Sequence, residues 1–507
     1  MNFIDVLLAP LKAIVGALNG FLWGDVIVLN IAGTNIGLSI IVLMLIPTAL
    51  YYTFKTRFLA IRLFPHMMKV ILGNKKAKDK DSISGLQALF IATASRVGMG
   101  NLAGVVAAVS FGGPGAILWM WLAAIIGSNT AFIESTLAQI YKEKDPTFGG
   151  WRGGPAYFMN RMEIVAESRD GDPFERNDDL SEINNTKKKY RKSAKYKLCA
   201  VLFAASGLIC WAGITQIVSN SVTESFNNAF GIRPLYTAIG MTLLGTVVLF
   251  AKGHKDKIVD VLNKLVPVMA VLYFSLTLFI LIKNITLVPG MFAEIFSSAF
   301  GGKQIIAGGF GAILMHGIKR GLFSNEAGSG SAPCAAAAAD VDHPAEQGLI
   351  QSLGVYIDTL VVCSCTAFTM LLAPASVREG KVGMDLLQSA MNHHIGSIGT
   401  PLMAILLFLF SFSTFLGILF YARSNVAFLF GDKMIYQDAY KIFALVMMFA
   451  GGMAQYLFVW DLGDLGVALM TVFNIIAILP MSKIALDSLQ DYEEKYVKNG
   501  GTILEKQ

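Results

Sequence analysis

Residues 93–104 read Thr-Ala-Ser-Arg-Val-Gly-Met-Gly-Asn-Leu-Ala-Gly, in the middle of an apolar stretch long enough to cross a bilayer. A helix in lipid satisfies its own backbone, so Gly98, Gly100, Asn101 and Gly104 crowded at that depth predict a break, tolerated only where it is buried in protein or lines a cavity. The N–H and C=O groups released there become ligands, and half-helix ends facing the break add fixed partial charge. That chemistry suits a small ion pair. The run Gly98-Met99-Gly100 is no dinucleotide fingerprint, because no strand precedes it and the third glycine is misplaced.

A zwitterion needs donors for its carboxylate, acceptors for its ammonium and a wall that limits the side chain. The N–H groups around Gly98, Met99 and Gly100 supply the donors. A second glycine cluster, Gly308-Gly309-Phe310-Gly311, lies in a short apolar run; its carbonyls are expected to face the ammonium, with Phe310 as an apolar or cation–π wall. Gln216 and Asn220, one turn apart, present amides for either a substrate contact or a bond between helices. Ser413 and Thr414 offer two hydroxyls on an apolar span; they either ligate a cation or bond back to the preceding turn. Asn101 either ligates a second cation or caps the half-helix beginning at Leu102.

Ionisable groups inside spans are costly and therefore informative. Arg96, beside the break, is expected either to pair with Glu134, Glu326 or Asp358 in an inner gate or to serve a structural role, and Asn325 with Glu326 reads as a gating or capping pair. His316 reads as a packing histidine. The block 319–339 is expected to form the cytoplasmic exit of its span, followed by a short Ala-rich helix behind Pro333.

The elements that must position these groups are membrane helices. Of 507 residues 54% are hydrophobic and 15% charged, and the mean hydropathy is +0.58, against about 25% charged in soluble domains. Apolar runs at 36–54, 83–110, 114–140, 197–221, 235–251, 258–282, 304–318, 349–374, 401–422, 440–458 and 465–482 predict eleven spans. Most of the 41 Lys and Arg then fall on one side, which puts the N-terminus outside and the C-terminus in the cytoplasm. Residues 1–35 are an outer or interfacial segment, 36–485 the transporter domain, 142–196 a cytoplasmic loop with a charged insert, and 486–507 a cytoplasmic tail. Without the first span, ten remain as two sets of five, 83–282 and 304–482, each opening on its most glycine-interrupted member. Paired interruptions of this kind mark a transporter site at the interface of inverted repeats.

Ala94 to Gly104, then Gly112-Gly113-Pro114-Gly115, Trp119-Met120-Trp121, Glu134 to Leu137 with Tyr141, Gly153-Gly154-Pro155 with Tyr157, and Lys319 to Gly328 through Gly330 to Pro333 together resemble the alanine or glycine:cation symporter family over about residues 36 to 485. The resemblance implies the leucine-transporter fold, five-plus-five inverted repeats with one added N-terminal span, and sodium- or proton-coupled uptake of alanine or glycine. It also implies one sodium site in which Ser413 and Thr414 join the carbonyls of Ala94 and Val97. Departures lie at Val218, where glutamine is usual, Met99 for threonine, Ile418 for tryptophan, and Ala422-Arg423 for Gly-Glu.

Cation-coupled symport of a small neutral amino acid is the expected function, with sodium as the co-transported ligand, no cofactor and no catalytic residue; a proton-coupled carrier of another amino acid, such as serine or glutamine, is the alternative. A channel calls for rings of like charge or a repeated filter, and an enzyme for a nucleophile, metal cluster or carboxylate pair; none is visible. The charge reflects loop bias and calls for no nucleic acid. The oligomeric state is left open.

Overall fold

The computed structural model describes residues 3–31, 34–73, 77, 82–162, 194–250, 257–300, 309–454 and 456–498. The charged insert beyond Met162, Gly308 and the end of the C-terminal tail lie outside them.

Chain order explains how the site is assembled. Helix α1 (Phe3–Trp23) and a hairpin of β1 (Ile27–Ile31) and β2 (Thr34–Leu38) lead into α2 (Ile40–Lys55). After two short helices, α3 (Leu59–Arg62) and α4 (Phe64–Leu72), strand β3 (Ile83–Ser84) opens α5 (Gly85–Arg96). A capping box starts α5: Gln87 N donates to Ser84 Oγ at 3.2 Å and Ser84 N to Gln87 Oε1 at 2.8 Å, which satisfies two orphan donors at once. The chain then leaves helical geometry at Val97 (ψ 71°) and resumes as a π-helical turn, Gly100–Gly104, running into α6 (Val105–Gly112). The two halves meet at 47°, so the first expected break is present.

Next come α7 (Ala116–Ile140), the short hairpin of β4 (Glu143–Lys144) and β5 (Trp151–Arg152), α8 (Pro155–Asn160), α9 (Ala194–Phe230), α10 (Pro234–Phe250), α11 (Lys257–Lys283) and α12 (Val288–Ala299). The second half begins with α13 (Gly309–Asn325), α14 (Ala332–Ala338) and β6 (Ala339–Asp340). Strand β6 pairs in parallel with β3, Ile83 opposite Ala339, and so joins the start of α5 to the end of α14. Then α15 (Pro344–Tyr356) passes through a π-helical stretch, Ile357–Cys363, into α16 (Ser364–Leu371), followed by α17 (Gly383–Ile395), α18 (Gly399–Phe430), α19 (Met434–Met453) and α20 (Tyr456–Tyr492).

Among the described residues, six helices are long and apolar enough to cross a membrane, or seven with the bent α5–α6 pair as one span. The remaining apolar runs also carry helices, but shorter ones, including α2 and α10. The largest buried cluster extends through both halves, from Val15 to Tyr492.

Of the second glycine cluster, Gly308 lies outside the described residues, and the described part contains no break. Gly309, Phe310 and Gly311 begin an uninterrupted helix, and the interruption follows its far end: Glu326 has φ 56°, Gly328 φ 90° and Gly330 φ 82°, before α14 starts with Pro333 in its first turn. Glycine alone costs a helix only about 1 kcal/mol per residue; left-handed backbone ends it. Lys319 and Arg320 sit inside α13. The Ala-rich helix behind Pro333 is present as α14.

Candidate functional site

The first break is held open by side chains from both halves of the chain. Gly98 N donates to Asn101 Oδ1 at 3.1 Å and Met99 N to Thr414 Oγ1 at 3.3 Å. Two of the amides expected to meet a carboxylate thus already have protein partners, while Gly100 is pressed against α13: a Cβ there would lie 3.0 Å from Ser324 Cα. Thr414 Oγ1 lies 3.2 Å from Ala94 O and 3.1 Å from Phe410 O, and Ser413 Oγ donates to Phe410 O at 2.8 Å. Four hard oxygens, Ala94 O, Phe410 O, Ser413 Oγ and Thr414 Oγ1, are linked in this way where α18 crosses the end of α5. Phe410 was missed in the sequence, although bonding back three and four residues on a helix signals that carbonyl. Val97, the other carbonyl implied by resemblance, is buried at the break itself.

Asn101 turns its amide the other way. Its Nδ2 donates to Asp358 Oδ1 at 2.8 Å, and Asp358 Oδ2 accepts from Ser324 Oγ at 2.9 Å and Thr359 Oγ1 at 2.8 Å. Asn325 Nδ2 donates to Thr359 Oγ1 at 3.1 Å and its Oδ1 accepts from Ala327 N at 3.0 Å, so it caps the end of α13. Both Asn101 and Asp358 lie on π-helical turns, a local widening common at functional sites.

The second break is fastened by α7 and α20. Glu134 Oε1 accepts from Gly328 N at 3.3 Å, Glu134 Oε2 from Asn474 Nδ2 at 2.7 Å, and Asn474 Nδ2 also reaches Gly328 O at 3.0 Å. Glu326 Oε1 accepts from Ser95 Oγ at 2.7 Å and joins the two breaks directly. Arg96 is buried beside them but forms none of the expected ion pairs: Nη1 donates to Gln351 O at 3.3 Å, while Nε and Nη2 have no partner among the described residues. Asn474, Ser95, Ser324 and Thr359 are further additions that no local pattern announces.

Three expected substrate contacts are displaced. Phe310 stands 15 residues before the end of α13, about 22 Å away along the helix axis, and its ring meets Trp119 at 5.6 Å. Phe323 brings its backbone carbonyl, not its ring, to the break: Phe323 O would lie 3.5 Å from a Cβ on Gly100, while the ring packs on Trp460 at 5.2 Å. Gln216 and Asn220 face α19, with Gln216 Nε2 3.3 Å from Met447 Sδ and Asn220 Nδ2 donating to Ala454 O at 2.9 Å. The residue of α9 that reaches the break is Ser221, whose Oγ lies 3.8 Å from Met99 Sδ. His316 stacks on Phe111 at 5.8 Å.

Lys319 and Arg320 form a buried cluster with α20. Arg320 Nη1 and Nη2 grip Asp464 Oδ1 and Oδ2 at 2.9 and 3.0 Å, Lys319 Nζ is 2.8 Å from Asp464 Oδ2, and the Arg320 guanidinium lies 4.3 Å from the Trp460 ring. Trp23 of α1 donates its indole N–H to Asp464 O at 3.1 Å.

The model of the sodium:alanine symporter family matches residues 11–505. The chain belongs to that family. A probable sodium/glutamine symporter, GlnT of Bacillus subtilis, is 39% identical over 95% of this chain and 91% of its own length. The sodium/alanine symporter AgcS of Methanococcus maripaludis is 32% identical over 95% and 97%. Among solved structures, a mutant of the manganese transporter of Eremococcus coleocola aligns with a TM-score of 0.47 at 10% identity, covering 79% of this chain and 77% of that one, a likeness too distant to carry an argument. As a member of the sodium:alanine symporter family, the protein is a multi-pass membrane transporter that couples amino-acid movement to sodium; it is not an enzyme.

Proposed function

We propose that the chain takes up a small neutral amino acid, alanine or glycine first, together with sodium, by alternating access in a five-plus-five inverted-repeat frame preceded by one further span. The observation that carries this reading is the position of Thr414 Oγ1, which touches both Ala94 O, a cation ligand by type, and Met99 N at the substrate break. One hydroxyl shared by the two ligands gives a direct route for coupling. Sodium is held by Ala94 O, Val97 O, Phe410 O, Ser413 Oγ and Thr414 Oγ1. The zwitterion lies between the two breaks, its carboxylate at the first break and its side chain against Met99 and Ser221. Glutamine is the second reading, favoured by the 39% identity to a probable sodium/glutamine symporter; Met99, flexible and unbranched, fits a pocket that adapts.

Counterflow in proteoliposomes with alanine, glycine, serine and glutamine, varying sodium and pH independently, tests the reading. Thr414→Ala is expected to raise the sodium concentration for half-activation about tenfold, and Ser413→Ala, which loses one oxygen but no contact to the break, less. Linkage requires substrate to raise sodium affinity by the factor by which sodium raises substrate affinity. One sodium with a neutral zwitterion carries net charge, so uptake should respond to voltage by about 2.3 kcal/mol per 100 mV. Sodium-independent, electroneutral uptake driven by a pH gradient would refute the assignment.

The Lys and Arg bias supports a sidedness that labelling tests. Ser297→Cys, on α12, is expected to react with impermeant reagent from outside, and Gln490→Cys, near the end of α20, only from inside. Labelling of Gln490→Cys in sealed cells would overturn the eleven-span topology.

A further inference from the structure

The hairpin β4–β5 with α8 is tied to three elements that carry the breaks. Arg152 lies at its centre: Nη2 is 2.9 Å from Glu143 Oε1 across the hairpin, and Nη1 bonds Asp432 Oδ1 just beyond α18. Thr147 Oγ1 donates to Asp432 O at 3.0 Å and Tyr157 OH to Ser424 O at 2.9 Å, so the hairpin holds the last turns of α18, the helix of Ser413 and Thr414. On its other side it lies on α14 without spare room: a Cβ on Gly153 would be 2.7 Å from Ala337 Cβ, and one on Gly154 (φ 121°) 2.8 Å from Cys334 Sγ. Lys142 Nζ donates to Ala339 O at 2.6 Å, and Ala339 pairs with Ile83 at the start of α5. The hairpin therefore reaches, by one or two contacts each, the helix of the first break, the helix after the second and the helix of the hydroxyl pair.

We propose that this hairpin is the inner strap of the transport cycle, closed by the Arg152–Asp432 contact, and that it must release α18 before sodium and substrate leave on the side of α14. The proposal rests on the transport reading above. Space for release exists: a cavity of about 360 Å³ adjoins the contact, lined by Glu143, Arg152, Tyr157, Asn160, Arg161 and Phe428. Arg152 keeps Glu143 and Asp145 as partners in either state, with Asp145 Oδ1 at 3.8 Å, so breaking the link to Asp432 leaves the guanidinium compensated. That makes the contact suited to repeated opening, whereas a lone buried pair would be costly to break.

Cys334, fully buried beneath Gly154, reports opening without an introduced probe. In proteoliposomes, Asp432→Asn is expected to speed maleimide modification of Cys334, read on its own peptide by mass spectrometry, about two- to fivefold, as for the loss of a partly exposed ion pair. Asp432→Glu should restore the slow rate. The pair Thr147→Cys with Asp432→Cys, once oxidised, should abolish counterflow while sodium-dependent substrate binding persists, and reductant should restore transport. An unchanged Cys334 rate in Asp432→Asn, or full counterflow in the cross-linked protein, would overturn the strap. Loss of sodium-dependent binding in the unmodified protein would instead strike the transport reading itself.

Discussion

Gly98→Ala is expected to insert and fold yet lose sodium-driven uptake by about hundredfold, the scale of a misplacement near 1 Å at a functional site. The cause is steric: a Cβ at Gly98 would sit 1.6 Å from Thr414 Oγ1 and 3.1 Å from Phe410 O, two of the oxygens assigned to sodium. Either the hydroxyl rotates away and the cation loses a ligand, or the break shifts and the substrate does. Gly104→Ala supplies the contrast, because no atom lies within 4 Å of a Cβ there; it should transport within about twofold of the parent and gain helix propensity. Gly100→Ala, 3.0 Å from Ser324 Cα, should fall between them. Initial uptake rates at saturating and limiting sodium, normalised to protein in the membrane, decide the order. Equal activity of all three would mean that these glycines only pack helices.

Asp464→Ala is expected to cost about 3–5 kcal/mol of stability, the range for removing one partner of a buried ion pair. Asp464 is 2% exposed and faces both Lys319 and Arg320, so its loss leaves two cations without their carboxylate at the junction of α13 and α20. Arg320→Ala should cost less, since Lys319 Nζ remains 2.8 Å from Asp464 Oδ2. Thermal unfolding in detergent separates the two, and a loss below 1 kcal/mol in Asp464→Ala would show that water or a rearranged side chain compensates. Sodium half-activation of the surviving protein should be unchanged, because none of the three residues touches the hydroxyl pair.

Much of this arrangement was legible in the chain. The apolar runs carry helices, the break at 97–99 is where the glycines and Asn101 indicated, and Thr414 does meet the backbone of Ala94 and Met99, whereas Ser413 bonds back to Phe410 O on its own helix. The interruption at 326–330 was not anticipated, because it depends on partners distant in sequence. Gly328 is held by Glu134 and Asn474, 194 and 146 residues away, and no local pattern carries that pairing. Gln216 and Asn220 share a face with helical periodicity, but periodicity does not say which neighbour that face meets; it meets α19. Lys319 and Arg320 read as loop-side charges, and their partners Asp464 and Trp460, a long way down the chain, could not be read from the local sequence.

The Lys319–Arg320–Asp464 cluster has a consequence for biosynthesis. Its cations are made long before their carboxylate, since Asp464 lies 144 residues beyond Arg320. A charge carried into the bilayer centre is unfavourable by up to about 2.5–3.5 kcal/mol, so nascent α13 carries two cations with no carboxylate beside them until α20 is synthesised. Trp23, from the first helix synthesised, closes on Asp464 as well. Helices far apart in the sequence, α1, α13 and α20, thus come together only once α20 is made, and a chain cut short before α20 would keep Lys319 and Arg320 without Asp464.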